Sequence, residues 1–278
     1  MPDLEKSLNA IQSSRRNLIR IGAIAVSALL AKTTTSSAEA GDFLWFHWGK
    51  KHHPENIGGN DLGCFLKGTR IRTVDGEWKI EELKAGDLLL NAFGGTCAIE
   101  WIGRYSFKKS DPSKGWVRRV LPIRIARSAL AFDVPQADLY ITQTHAVLVD
   151  GVLVQAGNLV NGMTITRHDA AELDTLEYFH IKLARHDVIY AEGAPCETLL
   201  NVDENAANFA EYLCQHGPPA IDQKPCLPVI KYAYRRGEIK SHFRSAISPW
   251  IDRRQRVDII RDELDARGIA LLRSELVS

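Results

Sequence analysis

The sequence predicts an all-β domain followed by a small helical segment, and three observations support this. From Cys64 to about Asn201 the chain is a series of short runs rich in β-branched and apolar residues. Glycine-containing turn pairs separate the runs, and such pairs favour tight hairpins between antiparallel strands. No convincing long helical pattern interrupts the region, so an all-β class is expected there.

The N-terminal part of the chain has the order of an export signal. Arg15 and Arg16 form a twin-arginine pattern, followed by an apolar stretch at 21–31 and the small-x-small site at Ala38 and Ala40. The apolar stretch is shorter than the roughly 20 residues that a bilayer-spanning helix needs. We therefore expect residues 1–40 to be a twin-arginine signal peptide, cleaved after Ala40, with no stable membrane span afterwards. The protein would then be periplasmic or extracellular; the alternative is an amphipathic helix with a polar tail.

Residues 41–63 form a short leader peptide in this interpretation. An aromatic run and a basic run are followed by a glycine-rich approach to Cys64, a composition typical of a loop. His47, His52 and His53 could gather a metal ion, but a solvated basic loop is the favoured interpretation. No metal or cofactor is expected.

The predicted β region contains a weak internal sequence repeat. Alternating residues lead into Asp75-Gly76 and again into Asp150-Gly151, and Gly94-Gly95 marks a third hairpin. After each Asp-Gly pair, apolar and glycine positions follow at similar spacings. The pattern favours two related β units packed together, although convergent turn chemistry would give the same pattern.

The last segment, residues 202–278, is predicted to be a helical extension. Residues 203–213 can form a helix, and the 253–267 stretch carries Val257, Ile260 and Leu264 at helical spacing. Acidic residues balance its many arginines, which favours an amphipathic helix with surface ion pairs over a nucleic-acid arm.

Charge and cysteine content narrow the kinds of partner and of metal site that the protein can be expected to have. The formal net charge of +1 gives no reason to expect nucleic acid or an anionic membrane as a partner. Five cysteines in an exported chain leave one thiol over, and Cys-x2-Cys spacing is absent, so a structural metal site is not expected. Cys196, Cys214 and Cys226 are possible disulfide partners in an oxidising compartment.

The pair Gly63-Cys64 carries the most distinctive chemistry in the sequence. A thiol directly after a glycine carbonyl can attack its own preceding peptide bond through a five-membered ring, because glycine adds no side chain to crowd the carbonyl carbon. The reaction exchanges an amide for a less stable thioester. The amide must therefore be strained or polarised, and the leaving nitrogen must be protonated.

Thr142 and His145, spaced Thr-x-x-His, can supply that assistance. From a loop beside the scissile bond, the imidazole could protonate the Cys64 nitrogen while the Thr142 hydroxyl bonds the Gly63 carbonyl or the local backbone. Either protonation state of an ordinary imidazole is accessible near neutrality. An isolated Thr-x-x-His would have a structural explanation; together with Gly63-Cys64 it favours catalysis.

His180 and His186 lie in two strand-like runs near the end of the β region. Either could deprotonate Cys64, because the thiolate is the nucleophile. The alternative for each is a histidine hydrogen-bonded at a strand edge.

These features together resemble the Hint domain shared by hedgehog autoprocessing domains and inteins, in particular its bacterial exported branch. The resemblance rests on an ordered set of motifs: Gly63-Cys64-Phe65, Gly68-Thr69, Asp75-Gly76, Ile80 to Asp87, Thr142-x-x-His145 and His186 to Gly193. It implies a horseshoe-shaped all-β fold with pseudo-twofold symmetry over residues 64–201. It also implies that Cys64 is the nucleophile and that Thr142 and His145 form its Thr-x-x-His motif.

By position, His180 and His186 resemble the two later intein sites, with His180 replacing the usual aspartate or cysteine. The His-Asn junction that ends inteins is not recognised, and Leu200-Asn201-Val202 lacks its histidine and following nucleophile. Splicing is therefore not expected, and no sterol-binding region is recognised after Asn201.

The leading hypothesis is single-turnover, cysteine-dependent self-cleavage. Cys64 forms a thioester with Gly63, and water or an external amine or thiol resolves it, releasing the leader. A second hypothesis is an exported Hint-like binding or structural module without turnover. A third is a cysteine hydrolase that acts on other substrates.

Overall fold

A computed structural model describes residues 63–109, 111, 113–202, 204–219, 223–231, 244–245, 248 and 254–277. The predicted signal peptide, Ala40 and nearly all of the leader lie outside these residues. The described residues belong to one compact unit, Gly58–Ser278. Neither of the two helices described below combines the length and the apolar character needed to cross a bilayer.

The described part of the chain is dominated by β-structure, as the sequence predicts. Its strands are β1 (Phe65–Leu66), β2 (Arg70–Thr73), β3 (Gly76–Lys79), β4 (Leu88–Leu90), β5 (Thr96–Lys108), β6 (Ile123–Ile125), β7 (Leu139–Ile141), β8 (Ala146–Val149), β9 (Val152–Gln155), β10 (Ile165–Arg167), β11 (Thr175–Leu183), β12 (Val188–Ala191), β13 (Ala194–Glu197) and β14 (Val229–Ile230). In the described ranges, helix α1 (Phe209–His216) precedes the last strand and helix α2 (Arg256–Val277) follows it.

The described strands form one hydrogen-bonded path in the order β10-β6-β7-β1-β11-β5-β4-β2-β12-β13-β8-β9-β14, with β3 paired to β2. The long strands β5 and β11 pair antiparallel from Thr175↔Lys108 to Leu183↔Ile99. Strand β1, which begins directly after Cys64, lies between β7 and β11. The bond at the start of the Hint-like region therefore directly precedes a strand that is paired on both sides.

The same order of secondary-structure elements occurs twice, in agreement with the internal sequence repeat. In the first half, the hairpin β2–β3 is followed by a 3-10 turn at Ile80–Glu82, short strand β4 and long strand β5. In the second half, the hairpin β8–β9 is followed by a 3-10 turn at Ala156–Asn158, short strand β10 and long strand β11. Because β5 and β11 pair with each other, the two halves meet along their longest strands.

The two Asp-Gly hairpins differ by one residue in their turns. Asp150 and Gly151 both have positive φ, as a two-residue hairpin turn of the expected kind requires. In the first hairpin Thr73 pairs with Gly76, so the turn residues are Val74 and Asp75 and not Asp75-Gly76. The Thr73 hydroxyl explains the shift, because it accepts from the Asp75 amide and donates to the Gly76 carbonyl.

Helix α1 begins later than the sequence predicts, at Phe209 and not near residue 203. Asn208 is tied to β5 through both side-chain groups: its Oδ1 accepts from the Arg104 amide at 3.0 Å, and its Nδ2 donates to the Ile102 carbonyl at 2.9 Å. This attachment holds the preceding residues in turns, so the helix starts only after it.

Helix α2 extends to Val277, ten residues beyond the 253–267 stretch in which the helical spacing was recognised. A glycine such as Gly268 is typical of the position after a helix ends. In the structure it lies inside α2, where a Cβ would come within 3.2 Å of Thr164 Oγ1 and 3.3 Å of Asn161 Nδ2. Glycine is therefore present because the helix approaches the loop before β10 closely.

Helix α2 packs into the main hydrophobic core. Ile260 and Leu264 are buried with residues of the sheet, and Val257 packs against the same cluster. The ion pair between Arg256 and Asp150 joins the helix to the β8–β9 turn. The extension is thus part of the folded unit.

Replacing Ile260 with alanine is expected to lower the free energy of unfolding by about 2–5 kcal/mol, because a buried aliphatic side chain would leave a cavity. The adjacent Ile259, which is 38% exposed compared with 1% for Ile260, offers a matched control. Ile259→Ala should change stability by about 0.5 kcal/mol or less. Urea unfolding monitored by circular dichroism measures both; equal losses would contradict the packing of α2 on the core.

No disulfide joins any of the five cysteines, all of which lie in the described part of the chain. The possible pairing among Cys196, Cys214 and Cys226 is therefore not formed. Cys196 is buried in β13, whereas Cys214 and Cys226 are exposed.

Candidate functional site

The peptide bond between Gly63 and Cys64 is held by Thr142. The Cys64 amide nitrogen donates to the Thr142 hydroxyl at 2.9 Å, and the Thr142 amide donates to the Cys64 carbonyl at 2.9 Å. Both contacts extend the pairing of β1 with β7, where Phe65 faces Ile141. Of the two contacts that the sequence left open for Thr142, the structure shows the one to the local backbone, at the nitrogen that would leave.

His145 ends the loop between β7 and β8 and is fully buried. Its amide donates to the Thr142 carbonyl at 3.2 Å, which closes the Thr-x-x-His segment into a turn. Its ring packs on Phe65, with ring centroids 4.2 Å apart. The turn therefore brings the imidazole against the strand that directly follows Cys64.

Gly63 is enclosed by groups from three different strands or loops. A Cβ at this position would lie 3.1 Å from Glu197 Oε1, 3.1 Å from the His145 Cα and 3.4 Å from His180 Cε1. Two of these distances are shorter than most real Cβ contacts, so a side chain here would require the surroundings to move. The close approach explains why glycine precedes Cys64.

His180 lies on the central strand β11, opposite Gly103 of β5, and is only 3% exposed. It is therefore not at a strand edge. Its ring centroid is 5.5 Å from that of His145. The His180 ring and the His145 backbone therefore both approach Gly63, with the two imidazoles side by side.

Burial keeps both imidazoles in their neutral form. It lowers the pKa of His145 to about 4, an effect that the negative charge of Glu197 only partly offsets. Burial, followed by the charges of His145 and His186, lowers the pKa of His180 well below its ordinary value. Near neutral pH, His145 is therefore a proton acceptor, and the expectation that both of its protonation states are accessible there is wrong.

Glu197 is the functional candidate that the sequence analysis missed. It ends β13, its side chain is 14% exposed, and its Oε1 accepts from the Ala146 amide at 2.7 Å. Its Oε2 lies 3.6 Å from His186 Nε2. A single glutamate at a strand end has no motif around it, so only the pairing of β13 with β8 reveals that it reaches Gly63.

His186 is held by partners on the other side of Glu197. Its Nδ1 accepts from the Cys226 amide at 3.1 Å and lies 3.2 Å from the Cys226 sulfur. His186 thus reaches the surroundings of Gly63 through Glu197, whereas His180 contacts them directly. The structure separates two histidines that the sequence treated alike.

A cleft of about 890 Å³ opens beside the Gly63–Cys64 peptide bond. Gly63, His180, Glu197 and Thr198 line one side. The C-terminal extension lines another side, with residues that include Phe209, Pro219, Pro225, Val229 and Lys231. The extension, to which the sequence assigned no role, therefore forms part of the candidate site.

A metal site is not found in the described ranges, where no group of three or more histidine, cysteine, aspartate or glutamate side chains is arranged to hold an ion. His47, His52 and His53 lie outside those ranges.

Comparison with known protein families matches residues 63–203, about half of the chain, to the Hint domain. The chain belongs to the Hint domain family. The matched range begins at Gly63 and includes Cys64, Thr142, His145, His180, His186 and Glu197. No curated protein sequence gives a significant match.

Several solved Hint-type structures are similar to this chain. The gp41-1 intein is 17% identical, covers 49% of this chain and 98% of its own, and has a TM-score of 0.35. A DnaB intein from Synechocystis is 10% identical (50% and 99% covered, TM-score 0.34), and a bacterial intein-like domain from Clostridium thermocellum is 15% identical (49% and 98%, TM-score 0.36).

The family match, together with the sheet described above, confirms the all-β Hint fold predicted from the sequence. The Hint and intein fold is that of self-processing domains, which cleave or splice their own chains. That general class of function applies to this Hint domain, whereas the chemistry at Gly63 requires a separate argument.

Proposed function

We propose that this Hint domain cleaves its own chain between Gly63 and Cys64. The observation that carries the proposal is the enclosure of Gly63 by His145, His180 and Glu197, together with the bond from the Cys64 amide to the Thr142 hydroxyl. A buried glycine carbonyl next to a thiol, two neutral bases and a carboxylate suits acyl transfer better than structural support alone.

The first step exchanges the amide for a thioester. Neutral His145 accepts the proton of the Cys64 thiol, and the sulfur attacks the Gly63 carbonyl carbon. The imidazolium then returns the proton to the Cys64 nitrogen as the carbon–nitrogen bond breaks. Thr142 holds this nitrogen during the step, because its hydroxyl already accepts the N–H hydrogen.

The second step releases the segment that ends at Gly63. Water or an external amine or thiol enters the cleft beside Gly63 and attacks the thioester, with His180 and Glu197 as the nearest candidate bases. Hydrolysis is irreversible, so it draws the unfavourable thioester equilibrium forward. Which nucleophile accepts the acyl group depends on which molecules can enter the cleft.

Within this proposal the chain has four parts. Residues 1–40 direct export by the twin-arginine route and are removed after Ala40, and residues 41–63 form the leader. Residues 64–201 carry out autoprocessing, and residues 202–278 form the extension that lines the cleft. The cleavage product outside the cytoplasm would then begin at Cys64.

Mass spectrometry of the purified chain tests the proposal. Incubation with hydroxylamine, which captures thioesters, should produce a fragment beginning at Cys64 and a hydroxamate of the peptide ending at Gly63. Incubation in buffer alone should yield the same Cys64 fragment more slowly. An intact mass that stays unchanged under both conditions would contradict self-cleavage and favour a Hint-like binding module, which the deep burial of Cys64 also suits.

A further inference from the structure

Away from the Gly63–Cys64 bond, a second cysteine thiol, that of Cys226, lies next to a histidine that can act as its base. Cys226 lies in the extension just before β14, and its sulfur is 3.2 Å from His186 Nδ1. The ring of His186 is buried, and its other nitrogen, Nε2, lies 3.6 Å from Glu197 Oε2. The order is that of a nucleophile, a base and a carboxylate that orients the base.

The tautomer of His186 follows from its contacts. Nδ1 accepts the Cys226 backbone N–H at 3.1 Å, so it carries no proton in the neutral ring. The ring proton is therefore on Nε2, which faces Glu197. The Nδ1 lone pair is therefore directed at Cys226, and it receives the thiol proton as it releases the backbone N–H.

Cys226 depends on such a base to react. Partial burial, then the charge of Asp187 and that of Glu197, raises the pKa of its thiol above the ordinary value. Cys214, on the surface of α1, is the matched comparison because it is also exposed but lies on a different element. Without His186, Cys226 would be the less reactive of the two.

The surroundings of Cys226 suit an organic anion. A cleft of about 750 Å³ borders the thiol and is lined by Arg185 and Lys224, which provide two positive charges, and by Phe93, which is 57% exposed. The one acidic side chain among the lining residues, Asp187, is engaged by the Asn91 side chain at 3.0 Å and by the Val188 amide at 2.8 Å. Carboxylates of an incoming molecule would meet the arginine and the lysine.

We propose that Cys226 and His186 form a thiol-exchange site for small disulfides that carry carboxylate groups. His186 Nδ1 takes the thiol proton, and the Cys226 sulfur attacks one sulfur of the disulfide. A new S–S bond forms as the old one breaks, and the leaving thiolate takes the proton from His186. The products are a mixed disulfide on Cys226 and one free small thiol.

Exchange at Cys226 also affects the scissile bond, a consequence that depends on the proposed self-cleavage. The added group removes the thiol hydrogen from His186 and adds bulk beside its ring. Since His186 faces Glu197, and Glu197 Oε1 faces Gly63, a displaced ring alters the carboxylate at Gly63. Modified protein should therefore cleave more slowly.

Oxidised glutathione, an anionic disulfide, is the probe for the first part. The full chain is incubated with it, and peptide mapping by mass spectrometry follows the adducts on Cys226 and Cys214 over time. Cys226 should react at least about tenfold faster than Cys214. The variant His186→Asn keeps an acceptor for the Cys226 amide but lacks a base, and it should remove this advantage while the rate at Cys214 stays unchanged.

A separate experiment tests whether the positive charges beside Cys226 select anionic disulfides. The double variant Arg185→Ala/Lys224→Ala should slow the reaction of Cys226 with oxidised glutathione but not with the neutral disulfide of mercaptoethanol. Reaction of Cys226 at or below the rate of Cys214, or a rate that His186→Asn leaves unchanged, would overturn the proposal.

The coupling to cleavage is measured separately. Glutathione-treated wild type and Cys214→Ser should cleave more slowly than untreated protein, whereas Cys226→Ser should be insensitive to the treatment. Adducts on Cys226 with unchanged cleavage would refute the coupling alone. If untreated protein does not cleave, the proposed function fails while the adduct rates still test the exchange site.

Discussion

Replacing Cys64 with alanine is expected to abolish cleavage at Gly63. Alanine has no group that can attack the Gly63 carbonyl, and the remaining path is hydrolysis of an ordinary amide. No Cys64 fragment and no hydroxamate should form, even in hydroxylamine. Time courses of intact mass over several days would detect a residual reaction.

Two further variants separate chemistry from folding. Cys64→Ser conserves the shape of the buried side chain and provides a weaker nucleophile, so it should fold normally and cleave far more slowly than wild type. Cys214→Ala removes an exposed thiol from α1 and should cleave at the wild-type rate. Cleavage at Gly63 in the Cys64→Ala protein would rule out sulfur attack.

Replacing His145 with alanine is expected to slow thioester formation by about 100- to 10,000-fold, the usual contribution of a general acid–base group. The variant loses both the acceptor of the thiol proton and the donor to the leaving nitrogen. Hydroxylamine-trapped cleavage, followed by mass, gives the rate. His168→Ala is a matched control, because His168 is partly exposed beside Glu172 and is not among the groups around Gly63.

The pH dependence of wild type gives a second test of His145. Because its pKa is lowered to about 4, its neutral form persists as the pH falls from 7 to 5, and the base-dependent rate should change little. A base with the ordinary pKa near 6.5 would lose about thirtyfold of its neutral form at pH 5. A rate that falls with a midpoint near 6.5, or a His145→Ala rate equal to that of wild type, would exclude His145 as the base.

The strands and the second helix were predictable because their signals are local. Alternating runs bounded by Asp-Gly pairs define hairpins whatever else the chain does, and Val257, Ile260 and Leu264 repeat at helical spacing. The errors arose where a distant contact decides. The start of α1 depends on the attachment of Asn208 to β5, and the length of α2 depends on how closely Gly268 approaches the loop before β10.

The candidate site likewise contains some residues that local sequence motifs reveal and others that only distant contacts reveal. Gly63, Cys64, Thr142 and His145 were recognisable because neighbours in sequence form their motifs, and the structure brings them together. Glu197 has no such motif. His186 resembled His180 as a histidine in a strand-like run, yet it turns toward Cys226 of the extension.

Short-range pattern was therefore sufficient for the all-β class, for the position of the Gly63–Cys64 bond proposed to be cleaved and for the Thr-x-x-His turn. The tertiary structure decided the rest. The pairing of β13 with β8 and the packing of the extension determine which carboxylate reaches Gly63, which histidine faces it directly and which residues complete the lining of the cleft. The physical reason is that hydrogen bonds within a turn depend on adjacent residues, whereas burial and the pKa values it lowers depend on strands far apart in the chain.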